Sequence, residues 1–289
     1  MARYDVAILG PGPAGLEAAI TLKIRNKSIL LLGEKGSSEK VAKAHTILNY
    51  LGLPSVAGEE MQAAFLGHVK EMGVEITEDR ITLVYPMGDY FALQGKNNEI
   101  YEASTVILAC GVSAGKPYPG ENEYLGRGVS YCATCDAALY RGKTVAVIGS
   151  SPKEEVEADF LTEYAAKVYY FPLYKAEPKV KEAVEVIREI PREIVGQMKV
   201  KSLVTDQKEY PVDGIFILRE SISPANLLPG LEMDDPHVKT DRQMKTNVPG
   251  CFACGDITGR PYQYIKSAGE GNVAALSAAA YLDEKRRQA

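Results

Sequence analysis

The chain has 289 residues, more than one hydrophobic core usually serves, so two domains are expected. Its 46% apolar and 25% charged residues are ordinary for a globular protein, and a formal net charge of −5 offers no basic face for nucleic acid. The opening MARYDVAILG has neither a signal-peptide core with its cleavage site nor the length of a membrane span, which predicts a cytoplasmic protein that does not engage membranes.

Tyr4 to Leu9 is a short apolar run, read as a parallel strand. Gly10-Pro-Gly12-Pro13-Ala14-Gly15 follows, then Leu16 to Lys23 with alanines and leucines at helical spacing, then a second apolar run, Ser28 to Leu32. This is a strand–turn–helix–strand unit of the usual length, about 30 residues. Gly10 makes the tight turn, Gly12 lets the backbone approach a pyrophosphate, and Gly15 lets helix and strand pack closely. The phosphate then rests on free N–H groups at the positive end of the helix. Glu34, near the end of the second strand and about 20 residues on, is placed for ribose hydroxyls. Glycines merely serving turns are the weaker reading, because strand and helix flank the loop as dinucleotide binding requires. FAD and NAD both remain open at this point.

Next comes a dithiol, Cys132-Ala-Thr-Cys135-Asp136. Its thiols are spaced to close a small disulfide ring, and exchange needs one low-pKa thiolate. Asp136 supplies a carboxyl group beside the leaving thiolate. Zinc is the competing reading, since Cys251-x-x-Cys254 adds a second pair. Cys251 to Cys254 falls on an expected strand, where residues three apart face opposite sides, so those two thiols are poor joint ligands. They and Cys110 read as small buried hydrophobes. His45, His68 and His237 receive no role.

A second nucleotide-binding unit opens near Lys143. Thr144 to Ile148 repeats the strand, Gly149-Ser-Ser-Pro the turn, Lys153 to Ala166 the helix, and Val168 to Phe171 the next strand. Its loop is broken in three ways. Ser151 puts a side chain where backbone should meet phosphate, Pro152 lacks an N–H, and Glu154 with Glu155 brings negative charge to the first helical turn. Lys175, past the following strand, is a poor substitute for arginines that grip a 2′-phosphate. A nicotinamide-free Rossmann shape is the preferred reading, with weak NADPH binding as the alternative. Lys175, Lys179, Lys181, Arg188, Arg192, Lys199 and Lys201 crowd this part; interspersed glutamates favour a solvated helix face over a docking surface.

The last third returns to the first domain: Val248 to Asp256 is a turn, a short strand and a strand-end Gly255-Asp256, and Ser267-Ala-Gly-Glu-Gly271 leads into an alanine-rich helix. The expected fold is α/β, two Rossmann-like domains of the FAD/NAD(P)-binding type with the second inserted in the first. The domains are 1–114 with 245–289, and 115–244.

Gly126-Arg-Gly-Val-Ser-Tyr-Cys132-Ala-Thr-Cys135-Asp136, Tyr140-Arg-Gly-Lys-Thr-Val-Ala-Val-Ile-Gly149, Gly10 to Gly15, Ile107 to Gly111, Gly255-Asp256 and Ser267 to Gly271 together resemble the low-molecular-weight thioredoxin reductases across nearly the whole chain. The resemblance implies FAD in the outer domain and a homodimer. It places the pyrophosphate on Gly10 to Gly15 (Gly12, Pro13 and Ala14 included), the adenosine end on Glu34 and Lys35, and the adenine side against Ala109 and Gly111. Asn49, Tyr262, Gln263 and Tyr264 would border the flavin, and Gly255-Asp256 the ribityl chain. The helix after Gly271 would aim its positive end at flavin N1. Cys135 would face the flavin, Cys132 would attack thioredoxin, and Asp136 would handle the proton. Tyr262-Gln263 replaces the family's usual Arg-Gln, and the insert is short. With the broken second loop, this looks like the ferredoxin-dependent flavin thioredoxin reductases. An NADPH-dependent enzyme with a divergent loop, a dithiol oxidase using oxygen, and a non-catalytic FAD-bound interaction protein stay as alternatives.

Overall fold

The computed structural model describes residues 3–33, 39–42, 44–96, 98–111, 117–131, 133–218, 224–234 and 236–288, with the backbone alone for Glu39, Lys40 and Cys135. Backbone contacts divide the chain into two units: Met1–Gly95 with Glu99–Val112 and Pro224–Ala289, and Lys96–Asn98 with Ser113–Ser223.

The first unit begins with β1 (Tyr4–Leu9), α1 (Pro13–Ile24), β2 (Ile29–Gly33), α2 (Glu39–Ala42), α3 (Gly58–Glu71), β3 (Ile76–Glu78), β4 (Ile81–Pro86), β5 (Phe91–Gly95) and β6 (Ile100–Leu108). The second unit holds α4 (Glu121–Tyr124), β7 (Val129–Ser130), α5 (Ala133–Asp136), β8 (Thr144–Gly149), α6 (Glu155–Leu161), β9 (Lys167–Pro172), β10 (Val184–Val186), β11 (Pro191–Gly196), β12 (Val200–Thr205), β13 (Glu209–Pro211) and β14 (Gly214–Leu218). The chain then returns through α7 (Pro224–Leu227), β15 (Met233–Asp234), β16 (His237–Val238), β17 (Cys251–Ala253) and α8 (Tyr264–Gln288).

In the first unit β1 lies between β2 and β6, all parallel, and Val6, Ala7 and Ile8 are wholly buried, as a strand covered on both faces must be. The long β6 branches: its first half pairs antiparallel with β5 and its end pairs parallel with β17. Helices α1 and α8 pack through alanines, among them Ala18, Ala19, Ala274, Ala275 and Ala278. A methyl on Gly271 would stand 2.1 Å from the Ala14 carbonyl oxygen, so only glycine admits this approach. The second unit carries the parallel sheet β10-β9-β8-β14-β7 and an antiparallel ribbon, β11-β12-β13. These are the two dinucleotide-binding α/β folds read from the sequence.

Four local expectations change. Residues 224–244, placed in the inserted domain, group with the first unit. There α7 packs on β4, the Ala253 N–H donates to the Met244 carbonyl, and Lys245 bridges Phe252. The helix expected over Lys153–Ala166 is a 3₁₀ turn, Pro152–Glu154, followed by α6, because Thr162, Glu163 and Tyr164 turn back with i→i−3 bonds. The basic stretch 175–201 is no helix face. Its β-branched residues form β10 beside β9 and the ribbon strands β11 and β12, and Arg188 pairs with Glu177. The last helix starts at Tyr264, ahead of Gly271. No helix among the described residues is long and apolar enough to cross a membrane.

Candidate functional site

At the C-terminal ends of β1 and β6 the first glycine loop builds a cradle. Gly10 has φ +112°, and a methyl there would lie 2.4 Å from the Ala109 carbonyl oxygen. One on Gly15 would lie 1.9 Å from the Gly10 oxygen, whereas one on Gly12 would meet nothing within 4 Å among the described residues. The loop therefore turns against Ala109 and packs against itself, leaving open space in front of Gly12. Gly12 is the N-cap of α1 and no side chain caps that helix; Pro13 at its first turn has no N–H to satisfy. Among the described residues the donors at the positive end of α1 thus face an open volume, which fits a pyrophosphate. Gly111, φ +70°, is also unobstructed. Cys110 donates its thiol proton to the Leu9 carbonyl at 3.3 Å, and burial pushes that thiol up to about 11. Glu34 and Lys35 lie outside the described residues.

The opposite wall is the turn Gly255–Thr258. Gly255 sits against Ala14, where an added methyl would be 2.9 Å from the Ala14 Cβ, and this brings Asp256 to the cradle. The Asp256 carboxylate accepts the Ser267 hydroxyl at 3.1 Å. Two residues the sequence reading passed over hold this turn. Lys266 donates to the Gly255 and Gly259 carbonyls, both at 2.9 Å, and pairs with Glu270 at 2.9 Å. Glu270 accepts the Gly255 N–H at 2.9 Å and the Thr258 hydroxyl at 2.8 Å. A lysine in the first turn of a helix opposes its dipole, so these acceptors are what make the position tenable. Its four-residue spacing from Glu270 was the available signal.

Asn49, expected beside the flavin, and Gln263, expected to bind the cofactor, are joined by a 2.7 Å bond from the Asn49 amide to the Gln263 oxygen. Tyr262 shares a 2.7 Å hydrogen bond with the His237 Nε2, so the histidine left without a role meets this wall. Tyr264 packs against the small core of Val41, Ile47 and Met61. The cradle, the polar turn and this wall together fit FAD.

The second loop is built differently. Ser151 caps the turn before α6 by accepting the Lys153 N–H at 3.3 Å, and the Glu154 carboxylate accepts the Ser151 N–H at 2.7 Å and its hydroxyl at 2.8 Å. This capping box uses the donors that the first loop leaves open. Glu155 accepts the Tyr174 hydroxyl at 2.5 Å and the Lys179 N–H at 3.1 Å. Tyr170, wholly buried, lies over Gly149: a methyl on that glycine would be 2.3 Å from the phenol oxygen. Burial pushes Tyr170 up to about 12, and burial with the Glu155 bond pushes Tyr174 higher. The one glycine kept in the second loop makes room for a tyrosine.

The dithiol segment is carried by α5. Cys132 and the side chain of Cys135 lie outside the described residues; Asp136 ends α5 partly buried. Cys251 and Cys254 are buried, and burial raises both thiols, Cys251 to about 12 and Cys254 further. Such thiols resist the deprotonation that zinc binding needs.

A glycine loop that fits a dinucleotide on one unit and a Cys-x-x-Cys sequence in a second α/β unit are the features of a nucleotide-dependent oxidoreductase. Residues 4–271 match the sequence profile of the pyridine nucleotide-disulphide oxidoreductases. Thioredoxin reductases from Bacillus subtilis and Peptoclostridium litorale are 33% and 35% identical to the chain, each over 97% of it and over 95% and 98% of their own lengths. A solved ferredoxin–flavin thioredoxin reductase from Clostridium acetobutylicum is 50% identical, covering 99% of this chain and 100% of its own, with a TM-score of 0.89. The chain belongs to the pyridine nucleotide-disulphide oxidoreductase family, among its thioredoxin reductases, and its cofactor is FAD.

Proposed function

We propose that this chain reduces the disulfide of a thioredoxin with electrons taken from reduced ferredoxin and without NADPH. The observation that carries this reading is the Glu154 carboxylate on the Ser151 N–H of the second loop, where a nicotinamide dinucleotide would need its phosphate. A second anion there would meet a buried carboxylate and donors already in use. Likeness to the Clostridium enzyme supports the donor.

Bound FAD accepts electrons singly and hands on a pair. The chain's own residues then divide the work. Gly12 and the first turn of α1 hold the pyrophosphate; Asp256, fixed by Ser267, takes the ribityl hydroxyls. An electron pair supplied by FAD would open a Cys132–Cys135 bond, leaving two thiolates. The Cys132 thiolate attacks the thioredoxin disulfide and forms a mixed disulfide, while Asp136 protonates the thiolate released. Cys135 then attacks Cys132, re-forming the internal bond and freeing the second thioredoxin thiol. The balance is two electrons and two protons per thioredoxin. Exposed Leu48 and Leu51, 75% and 89% accessible, support a homodimer through the first unit, which sedimentation would show.

The test is an anaerobic titration of the FAD-loaded protein. Reduced ferredoxin is expected to bleach the flavin, and equimolar NADPH or NADH to leave it oxidised. Bleaching by stoichiometric NADPH within seconds would overturn the reading.

A further inference from the structure

We propose that Glu157 and Lys96 are positioning residues for the redox dithiol, clamping the two residues between its cysteines. This rests on Cys132 and Cys135 being the redox pair. Those two intervening residues, Ala133 and Thr134, are each held by a separate bond. The Ala133 N–H donates to Glu157 Oε2 at 3.3 Å, and the Thr134 hydroxyl donates to the Lys96 carbonyl at 2.7 Å. The Lys96 ammonium pairs with the other Glu157 oxygen and closes the ring. Residues 96–98 group with the second unit, so the clamp lies inside it.

Neighbouring packing shows that Glu157 is placed for this contact. Helices α5 and α6 meet through Ala133 and Ala158, both wholly buried, whose small side chains let α5 come within reach of a glutamate. A carboxylate buried at 6% exposure is costly unless paired, so an apolar side chain would serve simple helix packing better. Three buried acids sit near the start of α6, and each has a different duty. Glu154 caps its own turn, Glu155 holds Tyr174 and the Lys179 N–H, and Glu157 alone reaches the dithiol turn.

The need for such a clamp follows from the reaction. Each turnover breaks the sulfur–sulfur bond, and with it the covalent constraint on the Cys-x-x-Cys turn. Resolution of the mixed disulfide requires Cys135 to find Cys132 at once, so the turn must keep its shape while open. A clamp on Ala133 and Thr134 does this in both redox states.

Four single variants test it: Glu157→Gln, Thr134→Val, Thr134→Ser and Cys132→Ser, assayed with thioredoxin and a one-electron chemical donor, reduced methyl viologen. Glu157→Gln and Thr134→Val are expected to lower kcat by about tenfold or more with KM for thioredoxin unchanged. Thr134→Ser, which keeps the hydroxyl, is expected to retain wild-type kcat. In all of them FAD content and visible spectrum should match the parent. Stopped-flow bleaching of the flavin by excess dithiothreitol, which also passes through the dithiol, should slow in the same two variants. Wild-type kcat in both Glu157→Gln and Thr134→Val would overturn the proposal, as would a rise in KM alone. If Glu157→Gln does not fold, the valine–serine pair at 134 decides. Full turnover in Cys132→Ser would instead remove the dithiol reading itself.

Discussion

Gly12 separates the two duties of the first loop. Its φ of −79° suits any residue, and an alanine methyl there meets nothing within 4 Å among the described residues, so their packing does not require glycine at that position. The open space is what FAD needs. Gly12→Ala is therefore expected to give a folded protein, with the circular dichroism of the parent apoprotein, that binds FAD far more weakly. Unchanged FAD affinity by fluorescence titration would place the pyrophosphate elsewhere. Gly10 and Gly15 differ, because their methyls would strike the Ala109 and Gly10 carbonyl oxygens and disturb the fold itself. Spacing alone conveyed the close approaches at Gly10 and Gly15, since only glycine admits them. It conveyed nothing of His237 against Tyr262, or of Lys266 and Glu270 on the Gly255 turn, which are meetings of side chains that depend on tertiary packing.

Among elements, the start of α6 carries the proposal that the second unit binds no NADPH. Removing its cap by Glu154→Ala is expected to cost roughly 1 kcal/mol of stability, read from urea unfolding. The same variant should still fail to bind NADPH, because Tyr170 remains over Gly149, bonded to Tyr174 at 3.1 Å. NADPH binding by Glu154→Ala would show that the carboxylate alone closes the site. Ser151, Pro152 and Glu154 marked this loop as unlike the first in the sequence, because each breaks a local rule about loop and helix start. Tyr170 did not, since its place over Gly149 is set by the register of β8 against β9. The stretch 175–201 was misread for a related reason. Alternating lysines and glutamates suggest a helix, but Val184, Val186, Ile194 and Val200 supply the apolar side of strands that pair with distant partners.

At the scale of the whole chain, the end of α8 is tied back to the beginning. Lys27, 7% exposed, pairs with Asp283, and Arg286 reaches Asp5 at 2.8 Å. The hydrogen bond from Lys27 holds the Asp283 carboxyl below its ordinary range. A group depressed on folding stabilises the fold above its unfolded pKa, and that contribution fades as pH falls through the folded value. Asp283→Asn should thus be less stable at neutral pH and lose less on acidification, and parallel unfolding-versus-pH curves would remove the pair from the account. The inserted arrangement was legible because the two nucleotide-binding units repeat one pattern. Its return point at 224 was not, because the short α7 and the β15–β16 hairpin carry little periodicity. The sheet's branch at β6 has an analytical consequence. It draws Cys251 and Cys254 into the interior, so two of the five sulfurs are sheltered from a labelling reagent. An alkylating tag applied to the folded protein is therefore expected to spare Cys251 and Cys254, so that mass spectrometry of the tagged chain reads only the remaining three sulfurs.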